Sequence, residues 1–277
     1  MVSSQLIYFL DNRDFRYSCV EFPAKPSPAA IVGAPRMKVQ YLGDVNDYRK
    51  YALLRLLAGS GLKIGINWLL TSDDGRRDGN KRGYLAQRER WEACDPELFA
   101  FLSKLRGAPT INDLKQIEEQ DIVPEAAYFG EPVPCGRAAR EAFHKASMQV
   151  FGACDLVFFD PDNGLAPASV RKTQSVAIKF VFDDELAAHY AEGRSLLVYQ
   201  HFPRVERPGF IRRTCSRIQS FAPNAGIWAC YTSNVLFILA FHLNSSTVRN
   251  GFVPRIIKEG QNRWPDTFIK FTNFNSM

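Results

Sequence analysis

Leu156, Val157, Phe158 and Phe159 form an unbroken apolar run, and the chain then passes directly into Asp160-Pro161-Asp162-Asn163-Gly164. A strand with no alternating polar side has no face for water, so other elements must cover both of its faces. That requirement demands layers above and below this segment. The runs LKIGINWLL (62–70) and SLLVYQHF (195–202) have the same character.

Helical patterns separate these strands. DYRKYALLRLLAGSG carries Tyr51, Leu54 and Leu57 at helical spacing, with Asp47 as the predicted N-cap and Gly59 as the stop. DPELFAFLSKL opens with Asp95 at a cap position and Pro96 in the first turn. INDLKQIEEQDI, RAAREAFHKASMQVFG, DDELAAHYAEG and PGFIRRTCSRIQSFAP read as further helices, while AGIWACYTS and NVLFILAFHL read as a hairpin. The predicted fold class is α/β: an open doubly wound, mostly parallel sheet of Rossmann-like type with a C-terminal antiparallel hairpin.

Residues 1–36, with FPAKPSPAAIVGAP, show neither strand nor helix periodicity and are predicted to be a low-order N-terminal extension. Residues 37–277 are predicted to form a single α/β domain with a helical insertion around 85–150. No run of 18 apolar residues occurs, so a membrane partner is not expected. Six scattered cysteines without paired spacing suit reduced thiols and a cytoplasmic protein. The net charge of +6 is compatible with a nucleic-acid partner, and basic residues cluster in loops 76–82 and 204–213. Solvated loop faces explain such clusters more often than phosphate binding does.

In doubly wound sheets ligands bind beyond the carboxyl ends of the strands. Three strands here end in polar groups: Asn67 followed by Asp73; Asp160, Asp162 and Asn163; Tyr199, Gln200 and His201. A turn of Asp, Pro, Asn and Gly needs no function by itself, because these are the commonest turn formers. Its place after a fully apolar strand, with polar groups recurring at later strand ends, favours a ligand site. His144 and His189 fall within helices and read as surface or half-buried. The four tryptophans are too far apart in sequence to suggest a base-stacking set.

FFDPDNG resembles the Asp-Pro-Pro-Tyr or Asn-Pro-Pro-Tyr signature of amino-group N-methyltransferases that use S-adenosylmethionine. YLGDVNDYRKYALLRLL is similar to the N-terminal segment of the large-subunit rRNA adenine-N6 methyltransferases, in which a Gly-x-x-x-Asp-x-x-Lys pattern (here Gly43, Asp47, Lys50) precedes a helix beside the cofactor. The YLGD, DPDNG and YQH segments together also resemble a bacterial and phage-associated family. Asp162 and Asn163 replace the second proline and the aromatic of the signature, and the Gly-rich first turn is absent. The resemblance implies S-adenosylmethionine as cofactor and a nucleic-acid or nucleobase amino group as acceptor. Asp160 and the Pro161 carbonyl would then accept hydrogen bonds from the nucleophile, beside Asp162 and Asn163. Tyr199 or His201 would take its proton or orient it. Gly43, Asp44, Lys50, Asn67 and Asp73 would line the cofactor end.

A different chemistry is open to the same residues. Asp160, Asp162, Glu185 and His201 are hard ligands that could hold Mg²⁺ or Mn²⁺ for phosphodiester hydrolysis, with Asn163 alongside and Lys179 as a charged helper. A third possibility is a relative that binds without catalysing.

Overall fold

The computed structural model describes residues 41–72, 81–105, 109–242 and 252–274, all within one compact unit of residues 35–277. The predicted extension at 1–36 lies outside the described residues. Seven strands form one sheet: β1 (Ile64–Asn67), β2 (Ala127–Phe129), β3 (Leu156–Phe159), β4 (Ser195–His201), β5 (Ala225–Tyr231), β6 (Val235–His242) and β7 (Lys270–Asn273). Their spatial order is β2-β1-β3-β4-β6-β5-β7. The first four run parallel to one another, and β6, β5 and β7 add antiparallel pairings.

The class is therefore α/β, but the sheet is mixed rather than mostly parallel. The reason lies in the hairpin. β6 is buried at every position but the last, whereas β5 alternates. The uniformly apolar strand takes the inner place beside β4, and the alternating one lies further out. The hairpin does not end the sheet, because β7 pairs on the far side of β5.

The helices are α1 (Val45–Gly59), α2 (Arg88–Trp91), α3 (Pro96–Lys104), α4 (Ile111–Glu119), α5 (Arg137–Val150), α6 (Asp183–Ala191), α7 (Arg207–Phe221) and α8 (Phe252–Arg263). Successive β3 residues point to opposite faces, as strand geometry requires. Leu156 and Phe158 join a core built with α1, α3, α4 and α8. Val157 and Phe159 join a second core with α5, α6 and α7. Among the described residues no helix is long and apolar enough to cross a membrane.

Several local expectations change. Asp44, not Asp47, caps α1: its Oδ1 accepts from the backbone N–H groups of Asn46 and Asp47 at 2.7 and 2.9 Å. Asp47 sits in the first turn instead, where it accepts from Gly43 N–H. The insertion around 85–150 is not wholly helical, since Ala127–Phe129 adds an edge strand beside β1. Three residues are too few to show a period. Residues 252–273, for which no element is predicted, form α8 and β7. His189 is fully buried against Phe159 rather than half-exposed. Burial, with Arg194 alongside, lowers its pKa to about 3, so the ring is neutral and its Nδ1 accepts from Arg194.

Glu185 at the start of α6 is paired with Arg140 of α5 through two hydrogen bonds of 2.8 Å, both side chains buried. Arg140 also donates to the carbonyls of Ala177 and Phe180, pinning the long connection that follows β3. Removing one partner of a buried pair strands the other charge, at a cost of about 3–5 kcal/mol. Arg140→Met should lose about that much stability in urea denaturation, and Arg140→Met with Glu185→Leu should recover at least half. A double variant no better than the single one contradicts the assignment.

Candidate functional site

From β1 the chain goes to β2 on one side, and it next enters the sheet as β3 on the other side of β1. The order of the sheet thus reverses between β1 and β3, the place where open α/β sheets leave a crevice at their carboxyl ends. A cleft of about 260 Å³ lies there. α1 supplies one wall with Asp44, Asp47, Lys50 and Tyr51, and the exit of β1 supplies Trp68 to Thr71. Asp160, Pro161 and Asp162 come from the end of β3, and Tyr199 and His201 from β4.

Seven predicted site residues therefore meet: Asp44, Lys50, Asp160, Pro161, Asp162, Tyr199 and His201. Others do not line the cleft. Asn163 is exposed and its N–H donates to the Lys179 carbonyl. Asn67 is buried, its Oδ1 facing the Leu69 N–H at 3.4 Å. Gly43 turns the chain at φ 78° and its carbonyl accepts from the Tyr84 hydroxyl. Asp73 lies outside the described residues.

The metal set is not assembled. Glu185 is committed to Arg140 in the other core, and Lys50 occupies Asp160. Among the described residues no three His, Cys, Asp or Glu side chains gather as a cage. Those four side chains do not fit Mg²⁺ or Mn²⁺.

The cleft's centre is Lys50. Its Nζ lies 2.7 Å from Asp160 Oδ2 and 2.6 Å from Asp47 Oδ1, over the rings of Tyr51 and Tyr199 at 5.1 and 5.9 Å. Burial alone would lower the lysine, but Asp160 and Asp47 outweigh it and hold the ammonium well above the usual range. Burial pushes Asp160 up to about 6 against the pull of Lys50, with Asp47 adding to the rise. Burial and then Asp47 likewise lift Asp44 to about 6. Burial raises Tyr199 well above its ordinary value, so it stays a hydroxyl donor. Tyr199 and His201 meet edge to face at 4.9 Å. The Thr71 hydroxyl donates to Asp162 at 2.9 Å.

Two backbone devices shape the cleft. Gly164 has φ 94°, and a Cβ there would stand 2.2 Å from Gln200 Oε1, so only glycine fits. Gln200 clips this turn by accepting from Leu165 N–H and donating to the Asn163 carbonyl. Leu69, just after β1, takes φ 46°, a left-handed conformation that strains a non-glycine residue by about 1–2 kcal/mol. Its buried side chain, packed in the second core, holds it there.

Tyr51, Trp68 and Thr71 are site residues that motif reasoning missed, and Asp47, expected as a cap, joins them. Tyr51 Oη and Trp68 Nε1 are both buried and face each other, outside regular hydrogen-bond geometry. Lys81 lines the cleft, while its neighbour Arg82 donates to the Leu42 carbonyl; residues 76–80 are not described. The second basic loop begins three residues after His201. Arg204, Arg212 and Arg213 are exposed, and Arg207 stacks on Phe202 while donating to Ser233 O.

No family model matches the chain, nor does any curated protein. Among solved structures, protein LPL1258 from Legionella pneumophila, of the family model DUF519, aligns with 85% of this chain and 97% of its own at 10% identity and a TM-score of 0.41.

Asp44 binds its proton more tightly in the fold, at about 6, than at its ordinary 3.8. Its contribution to stability is therefore complete below pH 3.8 and lost as pH rises through 6. Asp44→Asn keeps the cap acceptor but cannot ionise. Chemical denaturation should find it as stable as the parent at pH 4 and more stable at pH 8, by up to about 2 kcal/mol. A variant less stable at pH 8 would show that the charge of Asp44 favours the fold.

Proposed function

We propose that the chain is an S-adenosylmethionine-dependent methyltransferase with a Rossmann-like, doubly wound fold, acting on an amino group of a nucleic acid or nucleobase. One observation carries this reading. The switch-point cleft gathers buried carboxylates around Lys50, between aromatic rings, with Lys81 also on its lining.

Carboxylates with depressed acidity are costly to keep in a fold, and they cluster where a ligand uses them. Asp44, Asp47 and Asp160 outnumber Lys50, so the interior suits a ligand bearing positive charge. The ligand proposed carries a sulfonium and an ammonium, and aromatic faces favour such cations. Tyr51 and Trp68 line the same cleft and put a hydroxyl and an indole N–H within reach of the ligand's polar edges. On this reading Asp44, Tyr51 and Trp68 hold the cofactor, with Trp68 and Leu69 in place of a Gly-rich turn. The cofactor supplies an electrophilic methyl group.

The chain's own residues do the rest. Asp160 and the Pro161 carbonyl take the N–H groups of the acceptor and aim its nitrogen. Tyr199 and His201 supply the aromatic surface there, from β4 rather than from the turn. Tyr199 remains protonated, so His201 at the mouth takes the proton that the nitrogen sheds. Lys81, Arg204, Arg212 and Arg213 suit a phosphate backbone outside the acidic interior. A cytoplasmic location fits as well, since Cys94, Cys135, Cys154, Cys215 and Cys230 are unpaired.

Calorimetric titration with S-adenosylmethionine, S-adenosylhomocysteine and Mn²⁺ tests the reading. Both sulfur compounds should bind with micromolar affinity, about −8 kcal/mol. The sulfonium should bind roughly tenfold more tightly at pH 7 than at pH 5, as Asp44 and Asp160 ionise near pH 6. Heat from Mn²⁺ that Asp160→Ala abolishes, with none from either sulfur compound, would return the hydrolase chemistry to favour.

A further inference from the structure

Asp160 is held asymmetrically. Its Oδ2 accepts from Lys50 Nζ at 2.7 Å, whereas its Oδ1 accepts no hydrogen bond from any described residue, in a side chain that lines the cleft. Lys50 is itself held at the end of a long flexible stem. Asp47 Oδ1 forms an ion pair with the same ammonium at 2.6 Å, and the rings of Tyr51 and Tyr199 flank the charge. A lysine surrenders that much rotamer freedom only where several partners fix its tip. With two carboxylates already on it, Lys50 is not placed to serve the cofactor end that the sequence resemblance assigns it.

The geometry points to Lys50 as a positioning residue for the acceptor: it grips one oxygen of Asp160 so that the other faces the cleft as a fixed hydrogen-bond acceptor for a neutral N–H group, while Asp47 keeps Lys50 in place. This inference rests on the methyl-transfer reading of the same cleft. The neutral character follows from charge. An alkylammonium acceptor would have to share the Asp160 carboxylate with the Lys50 ammonium that already holds it. A heteroaromatic amine brings only its N–H dipoles. Without the clamp, the carboxylate would be free to rotate and, being buried, to take up a proton and lose its accepting role.

The groups facing Asp160 are Lys50, Asp47 and Tyr51 from α1, Tyr199 from β4 and Asp162 from its own turn. Of these, Lys50 lowers its pKa, while Asp47 and Asp162 raise it on top of burial. The signs of three substitutions follow. Lys50→Met should raise the Asp160 titration midpoint from about 6 by at least roughly one unit. Lys50→Arg should leave it near the parent value, and Asp47→Asn should lower it.

The experiment is a carbon-13 carboxyl titration of Asp160 in the full chain and these variants, with calorimetric binding of S-adenosylhomocysteine to each. Methyl transfer from labelled S-adenosylmethionine to unfractionated RNA is then measured from pH 6 to 9. We expect S-adenosylhomocysteine affinity to stay within about threefold for Lys50→Met while transfer at pH 7 falls roughly 100-fold. Transfer should recover toward pH 9 as Asp160 ionises, and Lys50→Arg should restore it at pH 7. A merely structural lysine would not produce that pH-dependent recovery. An unchanged Asp160 midpoint in Lys50→Met overturns the inference. So does a matching loss of S-adenosylhomocysteine binding, which would place Lys50 at the cofactor. If Lys50→Met fails to fold, Lys50→Gln, which keeps a polar side chain but loses the charge, decides: an Asp160 midpoint that does not rise rejects the clamp. If the parent protein binds neither sulfur compound, the methyl-transfer reading fails, and the midpoints still show whether Lys50 governs Asp160 for another N–H donor.

Discussion

Lys50 stands between Asp47 of its own helix and Asp160 at the end of β3, and the site is organised around that contact. Taking an ammonium out of water costs several kcal/mol, which only close, well-aligned carboxylates offset. The helix is thereby tied to the strand end at one defined point. α1 is buried on nearly every side: against the sheet, against α3 and α8, and through Arg49 to the Thr267 carbonyl. A helix held so completely can carry charged residues inward without drifting. The position of every other cleft residue is set relative to it.

The cleft holds charge of both signs. The interior is acidic, with two carboxyl groups raised to about 6 by burial, while Lys81 adds positive charge to the lining. The carboxylates do not improve the fold by themselves. Buried carboxylates that must ionise near neutrality subtract from stability. Such an arrangement makes physical sense where a cationic or N–H-bearing group enters, which the proposed reaction requires.

The turns follow the same economy. Gly164 lets Gln200 close over the turn after β3, so the Gln of the YQH segment serves the Asp-Pro segment rather than the ligand. Leu69 accepts a strained backbone because its side chain is buried on the opposite face of the sheet from Trp68. Both devices aim polar groups at the cleft by fixing the backbone behind them.

Much of this was legible in residue patterns, because burial and periodicity are local properties. Unbroken apolar strands required covered faces, helix caps and glycine stops marked most helices, and polar groups after strands marked one end of the sheet. β2 and β7 escaped notice, β2 because three residues show no period and β7 because polar residues interrupt it. Pairing was not legible either. Glu185 and Asp160 look alike as acidic groups near strand and helix boundaries, yet one meets Arg140 and the other Lys50. Asp47 read as a cap, but the cap fell to Asp44, which released Asp47 to hold the lysine. The amino-acid sequence alone determined the α/β class, the strand cores and the strand end where polar groups collect. Only the tertiary structure decided the mixed sheet and which charge meets which, because those depend on contacts between residues as far apart as Lys50 and Asp160, about which local composition carries no information.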